Sequence, residues 1–402
     1  DTLSSIDRSK FLKSENNSTE GNVILNYTVT DKINAHHLIK GGATYQNIFF
    51  NANSFTYSAI YTTYVYELKV KNANAGLVQS FIHWQWRPVE KLTLNTGIHY
   101  QNFLLNNTQA VEPRFGARWQ LSQKQNISIG YGMHSMMQPT IYYFFETYDP
   151  STDTYYRSNR NLDLTKSQHL ILGYDYNFAK NYRLKFESYY QYVYDVPVQK
   201  QHSSSFSMIN VGNALEGIPL VDTLINTGTG ENYGLELTLE KFFSEHFYFL
   251  VTASIYDSKY KGSDNITHNT SYNGGYVFNS LAGYELTLGK NKNKSLSFDL
   301  KYTQAGGNRY TPIDLEESKL NNGVVYINEK AFSEKYKDYS RFDIKLSYKT
   351  NRKRTSQTFF VTIENIFDTQ NILRETYNTE TQSIQREYQL GLFPYGGYRI
   401  EF

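Results

Sequence analysis

The residues best equipped for chemistry in this chain are nine histidines, 38 carboxylates and one dense run of tyrosines and phenylalanines. The histidines lack metal-ligand spacing, and no HExxH or CxxC pattern occurs. His36 and His37 are adjacent, and adjacent strand residues face opposite ways, so they do not chelate from one face. His134, Ser135 and Asp149 are the components of a hydrolytic set, but no spacing provides a base with its orienting partner. Gly228 to Gly234 (GTGENYG) precedes a strand-like run and therefore lacks the helix N-terminus that a phosphate cradle needs. With no cysteine, thiolate metal sites, disulfides and Cys nucleophiles all drop out. The reading predicts no catalytic residue, no metal and no cofactor.

Binding chemistry is more visible. Tyr142, Tyr143, Phe144, Phe145 and Tyr148, followed by Tyr155, Tyr156 and Arg157, place ring faces beside a cation. Such a set suits sugar rings, aromatic metal chelators or peptides. It equally suits the interfacial aromatic belt of a membrane protein. The formal charge of +2 gives no electrostatic reason to expect nucleic acid as a partner.

These residues need elements to hold them, and the elements are strands. Leu296, Phe298, Leu300 and Tyr302 alternate with Asp299 and Lys301; Leu235, Leu237 and Leu239 alternate with Glu236 and Glu240. Period-two alternation marks strands with one apolar and one polar face. The same parity puts Glu112, Arg114, Arg118, Lys185, Glu187, Asp343, Lys345, Glu364, Arg399 and Glu401 on the polar face. In hydrocarbon each such charge would cost roughly 2–4 kcal/mol near the midplane, so that face must meet water, protein or a ligand. No run approaches the roughly 18–20 apolar residues of a membrane helix.

Alternation and turn chemistry predict fifteen strands, near 21–30, 35–50, 75–87, 91–104, 110–121, 126–134, 165–178, 182–195, 229–242, 246–260, 275–289, 294–304, 338–349, 356–367 and 387–402, with no helix. Tight turns alternate with long links at 51–74, 135–164, 196–228, 261–274, 305–337 and 368–386, with one short exception at 105–109. Short turns on one rim and long loops on the other are the habit of outer-membrane barrels. The expected fold is therefore all-β, a transmembrane antiparallel β-barrel over 21–402 behind a polar leader at 1–20. A soluble antiparallel sheet also alternates, and remains the competing architecture. An odd count cannot close antiparallel, and counting strands back from the C-terminus predicts that an odd number of them lies upstream.

Several stretches resemble the C-terminal barrel of TonB-dependent receptors of the Bacteroidetes type. They are Glu112 to Pro139 (EPRFGARWQLSQKQNISIGYGMHSMMQP), Asn159 to Tyr176, Gly228 to Asp264, Asn273 to Leu286, Ala305 to Leu315 (AGGNRYTPIDL) and Tyr388 to Phe402 (YQLGLFPYGGYRIEF). The resemblance covers most of the chain beyond residue 90, and its strength lies in the order of the motifs. It implies a 22-stranded barrel in the outer membrane of a Gram-negative bacterium. Seven strands, a plug domain and a carboxypeptidase-like regulatory domain would stand upstream. It also implies nutrient uptake (siderophore, glycan or peptide) energised through the plug by the TonB complex, with a surface lipoprotein as a further partner in some members. The charged face would then pack against the plug. The C-terminal aromatic pattern Tyr398, Ile400, Phe402 resembles the signal read by the barrel-assembly machinery. An outer-membrane enzyme or passive channel on the same strands is the alternative.

Overall fold

The computed structural model describes residues 14–58, 63–149, 151–201, 203–211 and 223–402. Fifteen strands form one antiparallel wall, each hydrogen-bonded to the next of them in sequence order, and a short sixteenth, Thr267–Asn269, pairs only with Phe247–Lys261. The fifteen are Ser14–Lys32, His37–Ser58, Thr63–Val89, Leu92–Phe103, Thr108–Ser122, Gln125–Met136, Thr165–Ala179 and Tyr182–Gln199, then Leu224–Ser244, Phe247–Lys261, Tyr276–Leu288, Lys294–Ala305, Tyr339–Asn351, Ser356–Glu364 and Phe393–Glu401. The predicted count and order are those observed. Residues 1–13 of the expected leader lie outside the described residues, but Ser14 to Glu20 belong to the first strand and pair with Thr56 to Phe50.

Hydrophobic periodicity explains the membrane-spanning part. Directly opposed residues share a face, and the rows Ala117–Ile129–Leu172 and Leu346–Val361 run across the wall on its exposed apolar side. Polar residues occupy the other side, here called the inner face. The seven tight turns all connect consecutive strands on one rim. In the two-residue turn Glu245–His246 both residues have positive φ (53° and 73°), as a type I′ hairpin requires. In the five-residue turn that starts at Gly289, the glycine supplies φ +83° without a Cβ penalty.

Three expectations are corrected. The link at 51–74 is not a loop: His37–Ser58 and Thr63–Val89 stay paired out to Ser58 opposite Thr63. With the first strand they form a ribbon reaching well beyond the 9–11 residues that a membrane crossing needs. The Asn- and Ser-rich stretch Asn51 to Ser54 lacks apolar alternation, so nothing there betrays a strand. Second, the long links contain two short helices, Thr140–Phe144 and Leu315–Asn321. The latter is capped by Asp314, which accepts from Glu317 N at 3.0 Å, and ends on Asn322 in the left-handed region. Third, the last strand begins at Phe393, not at 387, because Ser383–Tyr388 pairs with Ile372–Asn378 in a hairpin of its own.

Candidate functional site

The inner face changes character along the strands. Near the long-loop rim it is apolar: Phe50, Ala52, Val70, Ala73, Leu77 and Phe103 form a dry core with the helix Thr140–Phe144, which folds inward over them. Tyr142 and Tyr143 are fully buried and Phe144 is 2 % exposed, with the Tyr143 ring 4.8 Å from that of Phe103. Burial pushes both phenols up to about 12, because the phenolate would lose its water. Both ends of the inward segment are tied to the wall. Thr140 Oγ1 donates to Glu20 at 2.8 Å on the first strand, and Asn106 Nδ2 donates to the Leu162 carbonyl at 2.8 Å.

Below this core lies a polar belt. Glu112, its side chain 3 % exposed, accepts from Arg114 Nη2 (2.7 Å), from Gln101 Nε2 (3.0 Å) and from both the backbone and the hydroxyl of Ser135 (2.9 and 2.6 Å). His99 Nδ1 lies 3.0 Å from Oε2, the same oxygen that accepts from Arg114. A carboxylate this deep is tolerated because nearly every lone pair is used. The His134 ring meets His169 edge-on at 4.9 Å, and from His169 the belt continues rung by rung. Gln191 Nε2 donates to His169 Nε2 (3.0 Å), Asn232 Nδ2 to Gln191 Oε1 (2.8 Å), Ser258 Oγ to Asn232 Oδ1 (2.5 Å) and Thr270 Oγ1 to Ser258 Oγ (2.8 Å). The rungs align because His169, Gln191, Asn232 and Ser258 are directly opposed across four strands.

The charged residues singled out in the sequence share this inner face. Lys185 pairs with Glu187 (2.5 Å) and Arg399 with Glu401 (2.5 Å). Arg183 bridges Asp175 and Glu240 (2.5 and 3.8 Å), and Arg341 bridges Asp343 and Glu364 (both 2.7 Å). Asp299 accepts from Tyr248 at 2.7 Å and stands opposite Lys345, as Lys301 stands opposite Asp343. Glu236 faces Glu187 across one rung, and Arg118 sits opposite Thr93 and Ser128. Tyr398 and Ile400 take the apolar outer side, with the Tyr398 ring packed at a tilt against Phe359 at 4.6 Å, while Phe402 beyond the strand is 96 % exposed.

The aromatic loop set divides. Tyr142, Tyr143 and Phe144 offer no face to a ligand, since the wall already covers their rings; Phe145 packs partly against the same core. Arg157 lies 5.1 Å over Phe144 and 3.4 Å from Glu146. Tyr155 and Tyr156 are exposed on the small hairpin Thr147–Asp149/Thr154–Tyr156, where Tyr148 stands opposite Tyr155 in register. The His134, Ser135 and Asp149 set makes no triad, because the Ser135 hydroxyl is donated to Glu112. Missed altogether was the belt of His99, Gln101, Gln191 and Asn232. The signal for it was present: polar residues recur at every second position of consecutive strands, where a water-filled face and a hydrogen-bonded one look alike. Among the described residues no group of three or more His, Asp or Glu could hold a metal ion.

An up-and-down antiparallel wall with an apolar band outside, a hydrogen-bonded charged face inside and tight turns on one rim is the wall of a transmembrane β-barrel of the outer-membrane class. Residues 2–366 match the family described as TonB dependent receptor-like, beta-barrel. The chain belongs to that family, and its place is the outer membrane of a Gram-negative bacterium. Solved structures agree in fold. The ferric yersiniabactin uptake receptor FyuA from Yersinia pestis is similar at TM-score 0.63 and 13 % identity, over 96 % of this chain and 54 % of that one. The copper transporter OprC is similar at 0.63 and 11 % (97 % and 57 %), and the FrpB iron transporter from Neisseria meningitidis at 0.59 and 14 % (96 % and 56 %). The chain thus spans about half the length of these structures. No curated protein matches it by sequence.

Proposed function

We propose that this chain is the barrel wall of a TonB-dependent uptake receptor, which binds a nutrient at the long-loop rim and passes it inward through a plugged lumen. The observation that carries this reading is the inner face itself. It bears charges of both signs in fixed pairs, which suits packing against a folded domain better than lining an open pore. The plug would come from elsewhere in a longer, 22-stranded receptor of Bacteroidetes type, and the TonB complex would act through it. The barrel-assembly machinery would read Tyr398, Ile400 and Phe402, and a surface lipoprotein would cap the loops. Exposed Tyr155 and Tyr156 beside Arg157 offer faces to a siderophore, glycan or peptide. The neighbours of similar fold that are named for ferric-chelate, iron and copper transport favour a metal chelate within that range. The wall carries no catalytic role in this reading.

The test is uptake by a strain lacking the gene, complemented with the intact receptor, with and without a working TonB complex. Accumulation of an iron chelate, glycan or peptide should require both. Equal accumulation without TonB identifies a passive channel instead.

A further inference from the structure

The short-turn rim carries charge that the uptake reading does not use. Two of its seven turns are mixed in sign, with Asp31 beside Lys32 and Glu90 beside Arg87 and Lys91, and three carry a single charge each, Lys124, Lys180 or Glu245. The remaining two are clusters of one sign. The turn between Tyr276–Leu288 and Lys294–Ala305 reads GKNKNK (289–294), and the one between Tyr339–Asn351 and Ser356–Glu364 reads NRKRT (351–355), giving six cations and no acid. These turns are immediate neighbours. Lys294 is opposed to Thr350, Asn351 N donates to the Asn293 carbonyl at 2.8 Å, and Asn293 Nδ2 donates to the Asn351 carbonyl at 3.4 Å. Lys290, Lys292, Lys294, Arg352, Lys353 and Arg354 are all exposed, and among the described residues no ion pair engages any of them. Like charges crowded this closely repel, so the patch is held by the ladder and left open to a counter-charge.

A second, independent feature lies above it on the lipid side. A 260 Å³ crevice is lined by Phe247, Phe249, Ala282, Tyr284, Phe298 and Leu300. Ala282 is the small residue among five large ones, opposed to Phe249 on one side and Leu300 on the other. Tyr284 is only four residues along the strand from Leu288, which is opposed to Lys294. At about 3.4 Å per residue the crevice begins roughly 14 Å along the strand from the cations, which at a strand tilt of about 35–45° is roughly 10–11 Å of depth, within the span of one lipid.

We propose that the two basic turns and the apolar crevice together form a site for an anionic phospholipid of the periplasmic leaflet, its phosphate on Lys290 to Lys294 and Arg352 to Arg354 and one acyl chain against Ala282. The short-turn rim faces that leaflet. Cations at its surface gain attraction to anionic headgroups, with Arg geometry suited to phosphate oxygens. The lipid belongs to the wall and is independent of the transported nutrient.

The experiment is native mass spectrometry of the intact receptor in detergent, titrated with phosphatidylglycerol or with phosphatidylcholine of the same acyl chains. Folding of every variant is confirmed by its heat-modifiable gel mobility. The wild-type protein should retain phosphatidylglycerol several-fold more tightly. Replacing all six cations by Gln should weaken that retention at least about tenfold and abolish the preference. Ala282→Trp, which fills the crevice without touching a charge, should lower retention of both lipids alike. Equal retention of the two lipids by the wild type, unchanged retention in the six-Gln variant, or displacement of the lipid by a soluble muropeptide would each overturn the proposal. Unchanged retention in Ala282→Trp would remove the crevice from it.

Discussion

The outer and middle thirds of the inner face are built on the same strands, yet they are held together by opposite means. The outer third is dry: Tyr142, Tyr143 and Phe144 fill space against Phe50, Leu77 and Phe103. Its stability rests on volume, is non-directional and falls with any void. The middle third has almost no apolar contact to lose and rests on matched partners, Glu112 with Arg114, Gln101, His99 and Ser135, and Gln191 with His169 and Asn232. A core of the first kind tolerates reshaping at a cost proportional to the hole. A network of the second kind fails wherever one partner is left alone. The inward-folded segment needs both, since Ser135, which Glu112 grips, lies only five residues before the buried helix.

That contrast can be broken from the dry side first. Tyr143→Ala should cost about 3–5 kcal/mol in denaturant unfolding of the intact receptor, and hydrogen exchange should rise over 137–164 while the wall stays protected. A loss spread evenly over all strands would show that the segment is not a separate packing unit. Glu112→Gln keeps shape but removes the charge and leaves one Arg114 or Ser135 contact unmade; about 2 kcal/mol is expected by the same measurement. If Glu112→Gln proves neutral, the belt is solvated and its bonds count for little. Gln191→Ala should cost about 1 kcal/mol, and a double-mutant cycle with Asn232→Ala should show coupling that an independent pair would lack.

The gentlest probe is pH. Tyr142 and Tyr143 hold their protons up to about 12 in the fold against 10.0 when free, so the folded segment binds protons more tightly than the unfolded one. Their contribution is fully present below pH 10 and is lost as pH rises from 10 towards 12. Hydrogen exchange or Tyr absorbance should show 137–164 loosening in that window, with Tyr142→Phe shifting the onset upward. Loosening that begins well below pH 10 would show that deprotonation of these two phenols is not what releases the segment.

The wall was legible in the sequence because its cause is local. In Ser295 to Thr303 or Phe342 to Tyr348, each residue's environment follows from its parity, and a tight turn such as Glu245–His246 is closed by the strands that flank it. Boundaries failed where that cause stops: Ser14 to Glu20 and Asn51 to Ser58 are paired strands whose sequence lacks clean apolar alternation. The candidate site failed differently. Tyr142, Tyr143 and Phe144 read as rings offered to a ligand, and only the fold shows them spent on packing.

By itself, then, the sequence determined the strand count, the order, the two faces and the two rims, since period-two alternation and turn length are properties of neighbours in the chain. Only the tertiary structure decided which polar residues became a belt and which aromatics became a core. Thr140 reaches Glu20 across 120 residues, and Gln191 meets His169 and Asn232 only because three strands are in register. Burial and hydrogen-bond satisfaction are long-range quantities, set by which strand lies alongside and which loop folds inward, and no local pattern encodes them.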